Sequence, residues 1–367
     1  MPPPPAPPGV PKYVSVAAAI EAQIGGEGDG GRLPSVRGIA RQHGISVVTA
    51  SRALQILRDK GLVRTIERSG CYRVPPVAER WAVCLRAAPD PRQGATAALV
   101  RAGFEALARR EPMHLAFDAV PVTSGLSAAD ADRAAQAARA DGVQGVFLLP
   151  DRRNDAEAAA LVAACRGVGL SVVLLERNLP GRGNALAADI VARDEYIGAM
   201  ECAQHLYSTG CRRVGLVAGS PVGDSDRWVA GYLLAAHEAR AAAKKPWKYP
   251  TVVLAEPADG AAALAAAVRN ERLDGVICHS DYTALGLIVE LLRRGVNVPD
   301  EVGVVGFDDL PLGDLFGDGL TTYDFPADAI AAHAVRLMRD RVRDADHPPV
   351  RVSVSGRLIV RGSTVSM

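Results

Sequence analysis

From Trp81 onward the chain repeats one pattern, in which a short apolar, largely β-branched run is followed by an alanine-rich stretch and then by another apolar run. The runs are WAVCL, HLAFDAV, GVFLLP, SVVLLE, RVGLVAG, TVVLA, GVICH and VGVVGF. A strand that is apolar on both sides must be covered on both sides. Helices between successive strands supply that cover, so the pattern specifies an α/β fold with a doubly wound parallel sheet. The roughly 285 residues involved exceed what one such core holds, and two lobes are expected. Ligands of open parallel sheets lie beyond the carboxyl ends of the strands, which places a binding cleft between the lobes.

The first eighty residues follow different rules. Lys12 to Ile24 set Val16, Ala19, Ile20 and Gln23 at helical spacing, and the GlyGluGlyAspGlyGly run ends that helix. Leu33 to Val63, LPSVRGIARQHGISVVTASRALQILRDKGLV, contains two short amphipathic helices separated at Gly44 by a tight turn. Ser46 is the expected cap of the second helix. On it Ala50, Ala53, Leu54 and Leu57 form the buried stripe and leave Val47, Val48, Thr49, Ser51 and Arg52 outward. Short hydroxyls and a guanidinium on one face suit a helix lying in a DNA major groove. After Gly61 the segment LVRTIERSGCYRV alternates as a hairpin does, with its turn at Arg68 to Gly70, which makes the unit a winged helix-turn-helix.

The expected organisation is a disordered proline-rich tail at 1–11, the winged helix at 12–75, a stiff linker at 76–80 behind Pro75 and Pro76, and the two-lobed domain at 81–367. Charge divides along the same line. Residues 1–80 hold 11 Lys/Arg against 6 Asp/Glu, and residues 81–367 hold 31 against 35, so the basic excess lies beside the helix pair, where phosphate neutralisation needs it. The six cysteines show neither CxxC nor paired histidine spacing, so no metal site and no disulfide framework are expected. Neither a signal peptide nor a membrane-spanning stretch is evident, and the expected location is the cytoplasm. There is no GxSxG, HExxH or GxxxxGK[ST], so neither an enzyme nor a bound cofactor is expected. Cys278 and His279 are neighbours on a strand and point to opposite faces, which prevents them from acting as a pair.

The front segment, with its LPS turn, Ser-capped helix, Lys-Gly-Leu-Val and glycine wing, resembles the GntR family of bacterial regulators over about residues 12 to 75. That resemblance implies DNA contacts from Arg37, from Ser46 and Thr49 at the start of the recognition helix, and from Arg68 and Gly70 in the wing. Val47 and Ser51 stand where that family usually carries arginine, and Arg52 is the residue placed to take over base reading. The stretch SVVTASRAL also resembles a LacI-family recognition helix. Further on, LYSTGCRRVGLVAG, the Ala230 to Tyr232 segment, SDYTALGLIVELLRRGVNVPDEVGVVGFDDLPL, LTTYDFP and GRLIVRGST resemble, in order and spacing, the effector-binding core of LacI/GalR regulators. This implies a type I periplasmic-binding-protein-like fold whose cleft holds a small-molecule effector, a sugar or a sugar derivative.

The same resemblance makes Asp308, after Gly306 lets the chain leave its strand sharply, the foremost effector contact, with Asp309 serving local amides. Arg227 is the expected clamp, Ser280 stands at a position often held by a ligand-binding asparagine, and Asp151 faces the cleft from the other lobe. Phe325 and Trp228 are candidate platforms for a sugar ring, and Asp281 is the expected cap of the helix that follows it. The chain departs from the family in the spacing of Arg227 to Gly231 and in the loop at Ala258, Asp259 and Gly260, which lacks an aromatic. The implied function is a homodimeric repressor of double-stranded operator DNA. The alternatives are an effector-independent or protein-controlled regulator, and a sugar receptor acting through a protein partner.

Overall fold

The computed structural model describes residues 11–24, 33–59, 62–66, 70–73, 79–85, 91–118, 126–150, 155–179, 185–218, 226–243, 250–257, 260–311 and 317–365. They form two compact units divided between Glu79 and Arg80. Residues 1–10 of the tail, Pro75 and Pro76, Ala258 and Asp259, and the candidate site residues Arg68 and Asp151 lie outside the described residues.

In the first unit α1 (Lys12–Ile24), α2 (Val36–Gln42) and α3 (Val47–Asp59) precede a hairpin of β1 (Val63–Ile66) and β2 (Gly70–Arg73). Ser35 Oγ accepts the Gly38 amide at 3.1 Å and Ser46 Oγ accepts the Thr49 amide at 3.1 Å, so both short helices start on a serine cap. Between them Gly44 takes φ +62°, a conformation that a side chain would strain. The core joins Val16, Ala17 and Ile20 to Ile39, Ala40, Ala50, Ala53, Leu54, Leu57 and Val63. Ala17 therefore takes the buried place expected for Ala19. Gly70, expected in the turn, is instead the first paired residue of β2, opposite Ile66.

The second unit contains β3 (Glu79–Cys84), α4 (Pro91–Ala108), β4 (Met113–Phe117), α5 (Ala128–Ala140), β5 (Gly145–Leu148), α6 (Asp155–Gly167), β6 (Ser171–Leu175) and β7 (Asp189–Arg193). There follow α7 (Glu195–Ser208), β8 (Val214–Ala218), α8 (Asp226–Ala242), β9 (Val252–Ala255), α9 (Ala261–Asn270), β10 (Gly275–Cys278), α10 (Asp281–Arg293) and β11 (Gly303–Asp308). The chain ends with β12 (Thr321–Asp324), α11 (Ala327–Arg343), β13 (Arg351–Val354) and β14 (Leu358–Ile359).

These strands build two six-stranded sheets, ordered β4-β3-β5-β6-β7-β13 and β9-β8-β10-β11-β12-β14. Within each sheet the central strands run parallel, and β14 closes the second sheet antiparallel to β12. The chain passes to the second sheet after β7, returns through α11 after β12, and leaves again after β13. Alternation along each strand explains why both faces of a sheet are covered. Ile190 and Ala192 of β7 enter one cluster of the first lobe and Val191 the other. In the second lobe Val276 and Cys278 of β10 face one side and Ile277 the other.

Helices α7 and α8 touch backbone to backbone. A Cβ added at Gly231 would stand 2.0 Å from the Tyr196 carbonyl oxygen, so the glycine is what permits the contact. Gly306 plays a similar part and does not turn the chain as expected. It sits inside β11, where a Cβ would meet Asp281 Oδ1 at 2.2 Å, and the turn falls on Asp308 (φ 114°) and Asp309 (φ 50°).

Candidate functional site

Two regions gather the residues singled out from the sequence. In the first unit Arg37 on α2 and Val47, Val48, Ser51 and Arg52 on α3 are exposed. Thr49 is only partly so, and its hydroxyl lies 2.8 Å from Ser46 Oγ. The Arg52 guanidinium stands 5.9 Å from the centre of the Tyr13 ring, which steadies it at the helix surface.

The second region lies where β6, β7 and β11 end. Arg193, the last residue of β7, points its guanidinium from the first lobe to Asp308 at the end of β11 in the second, and Nη1 donates to Asp308 Oδ1. Its Nε lies 3.3 Å from Glu176 Oε2 and 3.7 Å from Glu195 Oε1. The rings of Phe307 and Phe325 flank it, with centroids 4.9 and 5.5 Å from Cζ. The side chains of Arg193, Glu176 and Asp308 are only 10%, 4% and 4% exposed. Glu176 at φ 66° and Asp308 at φ 114° both hold backbone conformations unusual for residues with side chains. Such strain persists only where the surroundings enforce it. Here both strained residues deliver a carboxylate to one guanidinium.

Burial raises the Asp308 and Glu176 carboxyls above the usual range, against the opposing pull of Arg193. Burial also works against the charge on Arg193, but Asp308, Glu176 and Glu195 outweigh it and hold the guanidinium charged. Arg351 of β13 is pushed down by burial and by the like charge of Arg227, and its buried Nε has no hydrogen-bond partner among the described residues. Arg227 itself reaches Asp194 Oδ1 at 3.5 Å from an exposed position.

The structure thus brings Asp308 and Phe325 together around Arg193, with Trp228 one ring further out. Trp228 packs edge-on against Phe307 at 4.5 Å and lies in the core of the second lobe, and Phe325 lies in the core of the first, so neither is laid open as a platform. Ser280 belongs to a separate polar chain: it caps α10 through the Thr283 amide, Thr283 donates to Glu256, and His279 lies 3.5 Å from Glu256. The cap expected of Asp281 is therefore made by Ser280. Asp281 is fully buried, accepts from Leu310 N and Thr322 Oγ1 at 2.6 Å each, and has its carboxyl pushed up by burial to about 7. Asp309, expected to serve local amides, pairs with Arg361 at 2.9 Å.

Arg193, Glu176 and Glu195 were not singled out from the sequence. Glu176 closes the run SVVLLE, and a charged triplet, Arg193 to Glu195, follows the short segment DIVA. The signal was that triplet. β7 begins on Asp and ends on Arg, so its sequence lacks the apolar run of a buried strand. Among the described residues no group of histidine, cysteine or carboxylate side chains is arranged to hold a metal ion, and no helix is long and apolar enough to cross a membrane.

Fold and site together define a class: a winged helix-turn-helix unit followed by a two-lobed domain of the binding-protein type. Residues 12–72 match the model of bacterial regulatory proteins of the gntR family, and residues 203–364 match that of the periplasmic binding protein-like domain. The chain therefore joins a gntR-type helix-turn-helix domain to a periplasmic-binding-protein-like domain. Among curated proteins it is similar to the HTH-type transcriptional regulator reg1 of Streptomyces lividans, 30% identical over 206 residues, which are 54% of this chain and 58% of reg1. It is also similar to the HTH-type transcriptional regulator MalR of Streptomyces coelicolor, 28% identical over 235 residues, 61% of this chain and 65% of MalR. The chain spans roughly half the length of such relatives, from 40% to 65%. Among solved structures the transcriptional regulator CelR in complex with cellobiose aligns over 96% of this chain and 100% of its own, with TM-score 0.58 and 23% identity. A LacI-family regulator from Enterococcus faecium with bound ribose aligns over 79% of this chain and 100% of its own, with TM-score 0.59 and 17% identity. At these identities the likeness is one of fold.

Proposed function

We propose that the chain is a one-component transcriptional regulator, a homodimeric repressor acting in the cytoplasm on double-stranded operator DNA. The observation that carries this reading is the Ser46-capped α3, with Ser51 and Arg52 exposed beside a β-hairpin, in one chain with a two-lobed domain. A single winged helix covers one half-site, so a dimer supplies the second. Arg37, Ser46, Val47, Thr49, Ser51 and Arg52 form the reading face, with Arg68 and Gly70 at the wing.

The lobes of the second domain are the sensor, and the effector is a sugar or sugar derivative bound between them, as ribose and cellobiose are the compounds named with the two structural neighbours. Asp308, Arg227, Asp151 and Ser280 are the proposed surround, with Phe325 and Trp228, expected from the sequence as platforms, buried behind it. An effector with a preference for one lobe arrangement shifts the population, and with it the spacing of the two winged helices. A second reading, regulation without a small-molecule effector, is favoured by one observation: Asp308 is already neutralised by Arg193.

The experiment uses the full chain. A panel of mono- and disaccharides is screened by thermal shift on the wild type and on Asp308→Asn, and the compounds that stabilise it are added to a gel-shift titration with duplex selected from a random library. A sugar that raises the melting temperature and changes operator affinity supports the first reading. Selection of a duplex whose affinity no sugar alters supports the second, and failure to select any duplex overturns both.

A further inference from the structure

Helix α3 presents two adjacent valines to solvent. Val47 is 50% and Val48 67% exposed, both in the first turn after the Ser46 cap. Neither burial nor helix formation accounts for them. The core stripe of the helix is Ala50, Ala53, Leu54 and Leu57, and β-branched residues form helix less readily than alanine does.

The hydroxyls that flank the pair are turned toward one another, since Ser46 Oγ accepts the Thr49 amide and lies 2.8 Å from the Thr49 hydroxyl. Branched methyl groups therefore lead at the exposed end of α3, and Ser51 and Arg52 follow one turn on. In a major groove the thymine C5-methyl is the apolar group on offer, whereas purine edges and the cytosine amine present polar atoms that valine leaves unpaired.

We propose that Val47 and Val48 are thymine-methyl readers: the first turn of α3 packs their methyl groups against thymine C5-methyls, so that each operator half-site carries thymine at the positions they face. This rests on the DNA-binding reading above and adds the base chemistry of the operator to it.

The test replaces thymidine by deoxyuridine one position at a time in a duplex enriched from a random library by the full-length protein. The exchange keeps every hydrogen bond of the base pair and removes only the methyl. One or two positions per half-site are expected to lose about three- to fivefold in affinity, the worth of one buried methyl. In Val47→Ala/Val48→Ala the thymine-to-uracil ratio at those positions should fall to about one, with no loss in melting temperature, because alanine is the better helix former. Equal binding of thymine and uracil at every position overturns the proposal, and so does a ratio that survives in the double variant. Failure to enrich any duplex removes the DNA-binding reading and this proposal with it.

Discussion

Arg193, the last residue of β7 in the first lobe, hydrogen-bonds Asp308, the last residue of β11 in the second, and both side chains are almost wholly buried. The carboxylate that sequence resemblance assigns to an outside ligand thus has a partner within the chain. Glu176 accepts the Arg193 backbone amide at 3.1 Å and faces the same guanidinium, so the pair is fixed from the first-lobe side.

Removal of one member of a buried ion pair leaves its partner charged and unsolvated. Arg193→Met should therefore destabilise the chain by about 3–5 kcal/mol. Arg193→Met/Asp308→Asn should recover a substantial part of that loss, which no sum of independent effects allows. Denaturant melts of the wild type, the two single variants and the double variant check this. Additive losses would show that the two side chains do not act as a pair.

The buried Asp281 carboxyl, raised to about 7, sets a pH dependence of known sign. Its folded value lies above the ordinary carboxyl value of 3.8, so its favourable contribution is complete below that value and is lost as pH rises through about 7. Asp281→Asn keeps an acceptor for Leu310 N and offers an amide to Thr322 Oγ1. The melting temperature of the wild type should fall relative to that of Asp281→Asn as pH rises from roughly 4 to 8, a span that crosses the folded value. A constant difference across that range would contradict the assignment.

Gly231 allows α8 to lie against the Tyr196 carbonyl, where no room exists for a methyl group. Gly231→Ala should cost about 1–3 kcal/mol through overpacking, despite the gain in helix propensity. Gly167→Ala, on α6 with open space around it, should cost less or stabilise the chain. Paired thermal melts of the two variants give the comparison.

Arg37 is exposed on α2, where it is available to a phosphate. Arg37→Ala should weaken binding to selected and unrelated duplexes alike and reduce the slope of log affinity against log salt by about 0.9. Arg52→Ala should instead lower the preference for the selected duplex over unrelated ones. Fluorescence titrations at several salt concentrations distinguish the two.

Much of the architecture was legible in the residues. The eight apolar runs became β3, β4, β5, β6, β8, β9, β10 and β11, and Ser46, Gly44 and the alanine-leucine stripe of α3 took the places their spacing required. Such features are local: a cap, a left-handed turn and a face buried on both sides each follow from a few neighbouring residues. The strands β7, β12, β13 and β14 were not legible, because the first three mix Asp, Arg, Thr, Tyr or Ser with their apolar residues, β14 has only two residues, and β13 and β14 acquire their strand character from pairing with residues far along the chain.

The site divides in the same way. Asp308 could be picked out from its own string, GFDD, but the state of its carboxylate could not, since Arg193 lies 115 positions away in sequence. By itself the sequence determined that a helix-turn-helix unit precedes a two-lobed parallel-sheet domain, through periodicity and turn chemistry. Only the tertiary structure decided that Arg193 and Asp308 meet between the lobes and that Trp228 and Phe325 are core. A charge is neutralised, or a ring buried, by what the rest of the fold brings against it.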